Sequence, residues 1–586
     1  MSLSNNNGEY LAIDFGTCNS VISLIQNSDS SINSIQHILD DFSGDILIPT
    51  TIYFYKDEID ENLSINDLVY SKHYIIGYGA NEALSQQKIY ENYFYQFKRF
   101  LGINKNSKVI NTELLSNFSN IYTLDDETIY FNILINDENI NNDNIDNEDK
   151  DNNNKYLKIS LIDIVKLFFI GLREIISSKL NISNKQKITT AITIPAYFND
   201  LQRNQLKLAV ENSGFDIYRI YNEPTAASIY YIKNFYDICD SNKKFIIYDL
   251  GGGTIDTTVI EYHYENNTCE ILDIDGNSSL GGLDIDNIIL RDIYNKYNID
   301  PNNTKLRNKL KKYAEEIKIK LSFSANHNII LEDVPIIQNN EIKVKDKIKL
   351  SYSRQYFNMI INDLIDEMLI SVINMSKKYE IDNIILIGGP TQIPLLYEKL
   401  FSMIKINDVE IAKSVISKNN LLYKTIVADG ACLLNKLGRL DNDITLLDII
   451  PMNIGISGQD NKLSVMIKKN SKIPTSVEKT FSTSYDCQRN IDILVYEGND
   501  EVDCMNNSLI GSYKIIGIPP LPKGKILIKL LFKITYNGIL NISIIGFKNP
   551  FDDNSNSFDY KFNNNIRLIS SYMAKDLLKK LLSLKK

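Results

Sequence analysis

The stretches YLAIDFGTCNSVISLI (residues 10–25) and FIIYDLGGGTIDTTVIEY (residues 245–262) decide the fold of this chain. Each reads as an apolar strand, an Asp, a Gly-containing turn with Thr, and a second apolar strand. That pattern predicts a β-hairpin closed by a tight glycine turn. One copy alone is an ordinary hairpin; two copies far apart in one chain predict two similar lobes. Glycine at the turn lets backbone N–H groups approach phosphate oxygens with no Cβ in the way. The Asp before the turn can hold Mg²⁺, usually through its waters. Two such turns facing each other would grip a polyphosphate from both sides. No GxxxxGK[ST] motif is present, which excludes a P-loop enzyme.

The rest of the chain bounds the possibilities. Its 586 residues are too many for one core. Hydrophobic residues at 44% and charged residues at 23% fit an ordinary globular protein. The net charge is −10 and no basic stretch is long enough to track a nucleic-acid backbone, so nucleic acid is not an expected partner. No apolar run approaches the ~18 residues of a membrane span, so no membrane partner is expected either. The opening MSLSNNNGEY carries no signal-peptide core, and the six cysteines form no CxxC pair. A cytoplasmic protein with reduced thiols is expected.

Residues 131–155 form a low-complexity segment that reads as a disordered surface loop. Helical spacing resumes from about Leu161. The pattern changes near 441–448, DNDITLLD. From about 449 to 546 short strands alternate with turn signals, among them MNIGIS, KLSVMIKK, IDILVYEG, KILIKLLFKI and YNGILNISII, which predicts an all-β sandwich. Asn537-Gly538 is a strong hairpin turn. The end of the chain, 566–586, reads as an amphipathic basic helix.

The paired hairpins resemble the phosphate loops of the actin-like ATPase superfamily, in the form found in the 70-kDa heat-shock chaperones. Further stretches match that family in order: QFKRFLG (96–102), ITIPAYFNDLQR (192–203), NEPTAAS (222–228), LGGLDID (280–286), AEEIKIKLS (314–322) and LIGGPTQIP (386–394). The C-terminal part adds TLLDIIPMNIGI (445–456), KKNSKIPT (468–475), VYEG (495–498), IGIPPLPKG (516–524) and YNGILNIS (536–543). The resemblance implies an α/β chain: an actin-like two-lobed ATPase domain over 1–440, an interdomain linker over 441–448, a β-sandwich peptide-binding domain over 449–550, and a loop with a short helix over 551–586. It also implies an ATP-dependent chaperone that hydrolyses ATP with Mg²⁺, binds unfolded or extended polypeptide, and works with a J-domain co-chaperone and a nucleotide-exchange factor.

Roles follow from the resemblance, residue by residue. Asp14, Asp249 and Asp256 would surround Mg²⁺ through water. Gly16, Thr17, Cys18 and Thr254 would lie at the phosphates, and Gly251, Gly252 and Gly253 would supply backbone donors. Lys98 would stabilise γ-phosphate charge and position water, with Glu223 near the metal's hydration shell. Glu315, Lys318, Ser322, Gly388 and Gly389 would face the nucleoside. Ile319 and Gln392 stand where many relatives place Arg against the adenine. Cys18 replaces a usual Thr; inert packing is the main reading, and a thiol that reacts with oxidants or electrophiles is the lesser alternative.

Ile454, Ile456, Phe481, Ile491 and Ile493 would line the peptide pocket, with Gln459 and Ser484 at the arch over it. Leu446 and Leu447 would dock on the ATPase domain in one nucleotide state, and Pro195 and Arg203 would relay the signal. The helical lid is expected to be truncated, which predicts fast peptide release. The alternative is a nucleotide-exchange or peptide-holding co-chaperone with little turnover. A sugar kinase of the same superfamily would lack the sandwich.

Overall fold

Both expected hairpins form. Glu9–Phe15 pairs antiparallel with Asn19–Gln26, and Lys243–Leu250 with Ile255–His263, which sets Asp249 opposite Asp256. The computed structural model describes residues 9–26, 35–55, 73–87, 89–104, 122–124, 128–136, 155–183, 186–235, 241–301, 304–339, 341–404, 422–439, 445–458, 461–548 and 567–570.

Each hairpin grows into a sheet by the same rule. Its first strand takes a parallel neighbour, Ile188–Ile194 in one sheet and Asn383–Ile387 in the other. Its second strand takes an antiparallel neighbour, Gln36–Ile38 and Thr268–Asn277 respectively. The near-continuous apolar character of these strands fits sheets covered on both faces. One core gathers around the first sheet with Phe15, Phe97, Phe168 and Phe169. A second gathers around the other with Tyr248, Ile289, Ile365 and Leu386. A third draws Ala12 and Ile25 from one sheet, and Phe245 and Ile260 from the other, against the helices Glu223–Phe235 and Leu422–Arg439.

The expected helix runs Leu161–Leu180. Ser160 caps it, its Oγ accepting from the Asp163 N–H at 3.1 Å. The low-complexity loop is shorter than expected. Residues 131–136 belong to the strand Ile129–Asn136, which pairs with Lys155–Ser160. Phe131 and Ile133 alternate into the core, and this period-two pattern outweighs the Asn-rich composition. Residues 137–154 lie outside the described residues.

In the C-terminal part, Leu463–Ile467, Ile454–Ser457, Ile491–Glu497, Ser508–Ile516 and Arg567–Ser570 form one sheet in that order. Thr475–Ser482, Leu527–Ile534 and Leu540–Lys548 form another. The two share a core containing Ile454, Val495, Ile528 and Phe532. Asn537-Gly538 makes the expected turn, with Gly538 at φ +70°. The helix expected over 566–586 is corrected at its start, because Arg567–Ser570 pairs antiparallel with Ser508–Ile516. The open edge of Ser508–Ile516 supplies that segment with ladder partners. Residues 571–586 lie outside the described residues, as does Gln459.

Thr445–Leu447 adds a parallel strand to Thr268–Asn277, with Leu446 opposite Cys269. Among the described residues no helix is long and apolar enough to cross a membrane.

Gly430 marks where the helix Leu422–Arg439 crosses the helix Glu223–Phe235, and a Cβ there would collide with the Ala226 carbonyl. Gly430→Ala should therefore destabilise the protein by about 1–3 kcal/mol, as overpacking does. Thermal unfolding reads this as a lowered Tm; an unchanged Tm would contradict the close crossing.

Candidate functional site

The two glycine turns meet across a cavity of about 330 Å³. Gly16 and Thr17 line it from the first hairpin, and Gly251, Gly252 and Thr254 from the second. The turns nearly touch: a Cβ on Gly252 would lie 2.5 Å from Cys18 Sγ. The second turn is braced from behind, where Gly282 and Leu283 N–H groups donate to the Gly251 and Gly252 carbonyls at 3.0 and 2.8 Å. A Cβ on Gly252 would collide with Cys18 and one on Gly253 with Arg99, whereas one on Gly251 would meet only ordinary contacts.

Charged side chains crowd the floor. Lys98 lies in a short 3₁₀ turn, Phe97–Phe100, and is only 2% exposed. Its Nζ donates to Glu223 Oε1 at 2.7 Å, and Glu223 opens the helix Glu223–Phe235. Asp14 accepts from Thr193 Oγ1 at 2.7 Å. Burial pushes the Asp14 carboxyl up against the pull of Lys98 and Thr193. Asp249 is pushed up to about 8 by burial and then by its neighbours Asp256 and Asp14. Asp256 is pushed up to about 6 by burial, which the Tyr197 N–H opposes. Burial, with Asp14 and Asp249 adding to it, holds Glu223 well above the usual carboxylate range. Four carboxylates thus gather about the Lys98 ammonium, with the Arg203 guanidinium also acting on Asp256, a set that suits a bound dication and phosphate chain. Among the described residues no three His, Cys, Asp or Glu side chains converge closely enough to ligate a metal directly.

The structure brings together most residues expected here. Asp14, Lys98, Glu223, Asp249, Glu315, Lys318, Ser322, Gly388 and Gly389 all line the cavity. Asp256 and Gly253 stand behind the wall: Asp256 Oδ1 accepts from the Tyr197 N–H at 2.9 Å, and Gly253 packs on Arg99. Lys318 donates to Asp286 Oδ2 at 2.7 Å, and although burial opposes its charge, Asp286 and Glu315 raise its pKa. For Cys18 the burial favours inert packing over the alternative of a reactive thiol. Burial and then Glu315 push it up to about 12, so it stays protonated and weakly nucleophilic.

Thr193, Asp286 and Phe323 join the site without having been expected. Thr193 and Asp286 lie in the matched stretches ITIPAYFNDLQR and LGGLDID, but no role was read for them. Phe323 was visible as an apolar residue one helical turn beyond Ile319.

The expected peptide-pocket residues sit between the C-terminal sheets. Ile454, Ile456 and Ile493 are buried there, and Phe481 and Ile491 are half-buried against them. Ser484 is exposed. The relay residue Arg203 is buried and donates to the Ala196 and Phe198 carbonyls at 3.1 and 3.0 Å, and to Asn222 Oδ1 at 3.0 Å. Asn222 in turn donates to Asp448 Oδ2 at 2.9 Å. Pro195 opens the loop that Arg203 holds.

The family model for Hsp70 protein matches residues 10–550. A "Chaperone protein dnaK" of Cyanidium caldarium is 35% identical over 369 residues, which span 61% of this chain but only 57% of that protein. A "Chaperone protein DnaK" of Mycoplasmoides gallisepticum is 28% identical over 553 residues, 92% of this chain and 79% of the relative. With the match running from the first hairpin to residue 550, the chain belongs to the Hsp70 family.

Proposed function

We propose that this chain is an ATPase whose turnover switches the affinity of its C-terminal sheets for extended, apolar polypeptide. The observation that carries the reading is the buried Lys98–Glu223 pair, set among Asp14, Asp249 and Asp256 beneath two facing glycine turns. Phosphoryl transfer to water needs positioning and charge neutralisation. The glycine turns donate backbone N–H groups to the phosphates, and Thr17 and Thr254 add hydroxyls. Lys98 balances charge that develops on the γ-phosphate and orients the attacking water. Asp14, Asp249 and Asp256 hold Mg²⁺ through its waters, and that ion neutralises phosphate charge.

Domain limits of 1–440, 441–448 and 449–550 suit this reading. Two sheets built alike supply the two lobes, and the two C-terminal sheets with one core supply the sandwich. In the docked arrangement Ile454, Ile456 and Ile493 are covered, so peptide entry requires the two sheets to part. A hydrogen-bonded path from Asp448 through Asn222 and Arg203 to the 196–198 loop, and on to Asp256, supports coupling between linker and nucleotide. A J-domain co-chaperone and an exchange factor are proposed partners. The unpaired state of the described cysteines suits a reducing compartment such as the cytoplasm. A holding protein with little turnover is not favoured, since Lys98 and its carboxylates are all in place.

Three outcomes test this. Lys98→Ala should lower single-turnover hydrolysis ~10²–10³-fold, with ADP affinity in calorimetry changed far less. Unchanged hydrolysis would remove Lys98 from the mechanism.

The raised carboxylates give a pH signature. In the nucleotide-free protein Asp256 and Asp249 take up protons near about 6 and about 8, above the ordinary Asp value near ~3.9 of an unfolded chain. The folded state therefore binds more protons in this window, and its stability falls as pH rises from 6 to 8. Binding of Mg²⁺-ADP should release protons over the same range, seen as calorimetric heats that depend on buffer ionisation. Heats independent of buffer would contradict the charge assignment.

Replacing Leu446 and Leu447 together with Asp should unseat the strand Thr445–Leu447 from Thr268–Asn277. Peptide should then no longer accelerate hydrolysis, nor ATP release peptide. Retention of both responses would contradict the docking account.

A further inference from the structure

A second cavity, of about 700 Å³, opens in the first lobe and shares no lining residue with the one between the glycine turns. It lies between the last turns of the helix Leu161–Leu180, the strand Tyr74–Ile76 and the turn at 40–43. Its size falls in the ~300–1,000 Å³ range of small-molecule sites. Ile75, Ile175 and Ile182 give it apolar walls, and Phe42, Tyr55 and Tyr74 give it aromatic ones. Asp40, Asp41 and Glu174 line it too, and among the described residues no Lys, Arg or His does. The three carboxylates differ in what they have left to give. Asp40 is spent on the fold: its Oδ1 accepts from the Phe42 and Ser43 N–H groups at 3.0 and 2.9 Å, and its Oδ2 from the Tyr78 N–H at 3.3 Å. Asp41 pairs with Lys179 at 3.3 Å. Glu174 accepts no hydrogen bond and closes no ion pair among the described residues. Its neighbour in sequence, Arg173, donates to the Gln186 carbonyl at 2.7 Å. Burial, and then Glu174, raises the pKa of the Tyr74 phenol, which marks those two as neighbours. Ser177 lines the cavity one helical turn beyond Glu174; it is 6% exposed, and its Oγ has no hydrogen-bond partner. A buried hydroxyl left unpaired is costly, and a ligand N–H would satisfy it.

We propose that this cavity is a binding site for a small organic ammonium ion, its charge held by Glu174, Ser177 and the Tyr74 ring and its apolar body seated on the isoleucines. An anion would meet three carboxylates and no lining cation. A neutral apolar ligand would leave Glu174 and Ser177 unanswered. A bare metal ion would forgo the rings and the isoleucines. An organic ammonium answers each feature at once. Its N–H groups donate to the Glu174 carboxylate and the Ser177 hydroxyl, which lie on one face of the helix as i and i+3. The tyrosine face attracts its charge. Ser177 lies in the last turn of the helix Leu161–Leu180, where the negative end of the dipole adds to that attraction.

The test is calorimetric and ligand-observed NMR titration of the full chain with phenethylammonium, alongside the neutral phenylethanol and the anion phenylacetate. The ammonium should bind at millimolar concentration or below, phenylethanol ~5-fold or more weakly than it, and phenylacetate not at all. Saturating Mg²⁺-ADP should leave the binding in place, because the two cavities share no lining residue. Glu174→Gln should weaken the ammonium ~2- to 10-fold and leave phenylethanol unchanged. Tyr74→Leu should weaken the ammonium ~2- to 5-fold through the lost ring. Glu174 is exposed, so its variant keeps the fold and decides the matter alone if Tyr74→Leu does not fold. Equal affinity for the ammonium and the alcohol, or an affinity for the ammonium untouched by Glu174→Gln, overturns the proposal. Displacement by Mg²⁺-ADP would put the ammonium in the nucleotide cavity and overturn it as well, as would the absence of any ammonium binding.

Discussion

The structure is organised around an imbalance of buried charge. Lys98 is the cation at the cavity floor, and Asp14, Asp249, Asp256 and Glu223 surround it. Burying a carboxylate costs free energy unless a partner or a proton compensates it. Asp14 comes from the first hairpin, Asp249 and Asp256 from the second, Glu223 from a helix start and Lys98 from a 3₁₀ turn. Both sheets and the helices between them must be complete before these groups meet. A multivalent ligand of the kind proposed above would bring compensating positive charge to these same groups.

The same carboxylates are anchored in the framework that carries the C-terminal sheets. Asp256 holds the Tyr197 N–H, and the loop around Tyr197 is held by Arg203. Next to that loop, the Asp200 N–H donates to Glu497 at 2.8 Å, while Asp200 accepts from the Leu540 N–H at 2.7 Å. Asn537, in the C-terminal hairpin turn, accepts from the Ile220 N–H at 3.1 Å. On the second sheet, Lys472 pairs with Glu270 at 2.7 Å and Asn470 donates to Asp273 at 3.1 Å. A chain of contacts thus runs from the cavity's Asp256 to the hydrogen bonds that seat the C-terminal sheets, the path on which the proposed coupling rests. Population shift requires a difference in contacts between states.

Much of this was legible in the sequence, and the reasons are local. The hairpins, the helix from Leu161 and the Asn537-Gly538 turn rest on short-range chemistry: glycine turns and apolar period. Lys98 was legible only through the company of QFKRFLG, since a lysine by itself says nothing of burial. The strands Thr475–Ser482 and Ser508–Ile516 were missed, because exposed polar residues alternate weakly along them. Arg567–Ser570 was misread because a short apolar run is ambiguous until a sheet edge claims it. Asp286 and Thr193 stood in quoted stretches, but their roles went unread for another reason. Their importance lies in a contact made across the fold, Lys318 in one case and Asp14 in the other.

The central claim is that one chain joins a phosphate site to a polypeptide site. Single-turnover hydrolysis of prebound Mg²⁺-ATP, with and without a saturating extended apolar peptide, tests it most directly. The account predicts slow hydrolysis alone and a several-fold acceleration by peptide. Hydrolysis at the same rate in both cases, with the peptide bound, would contradict it.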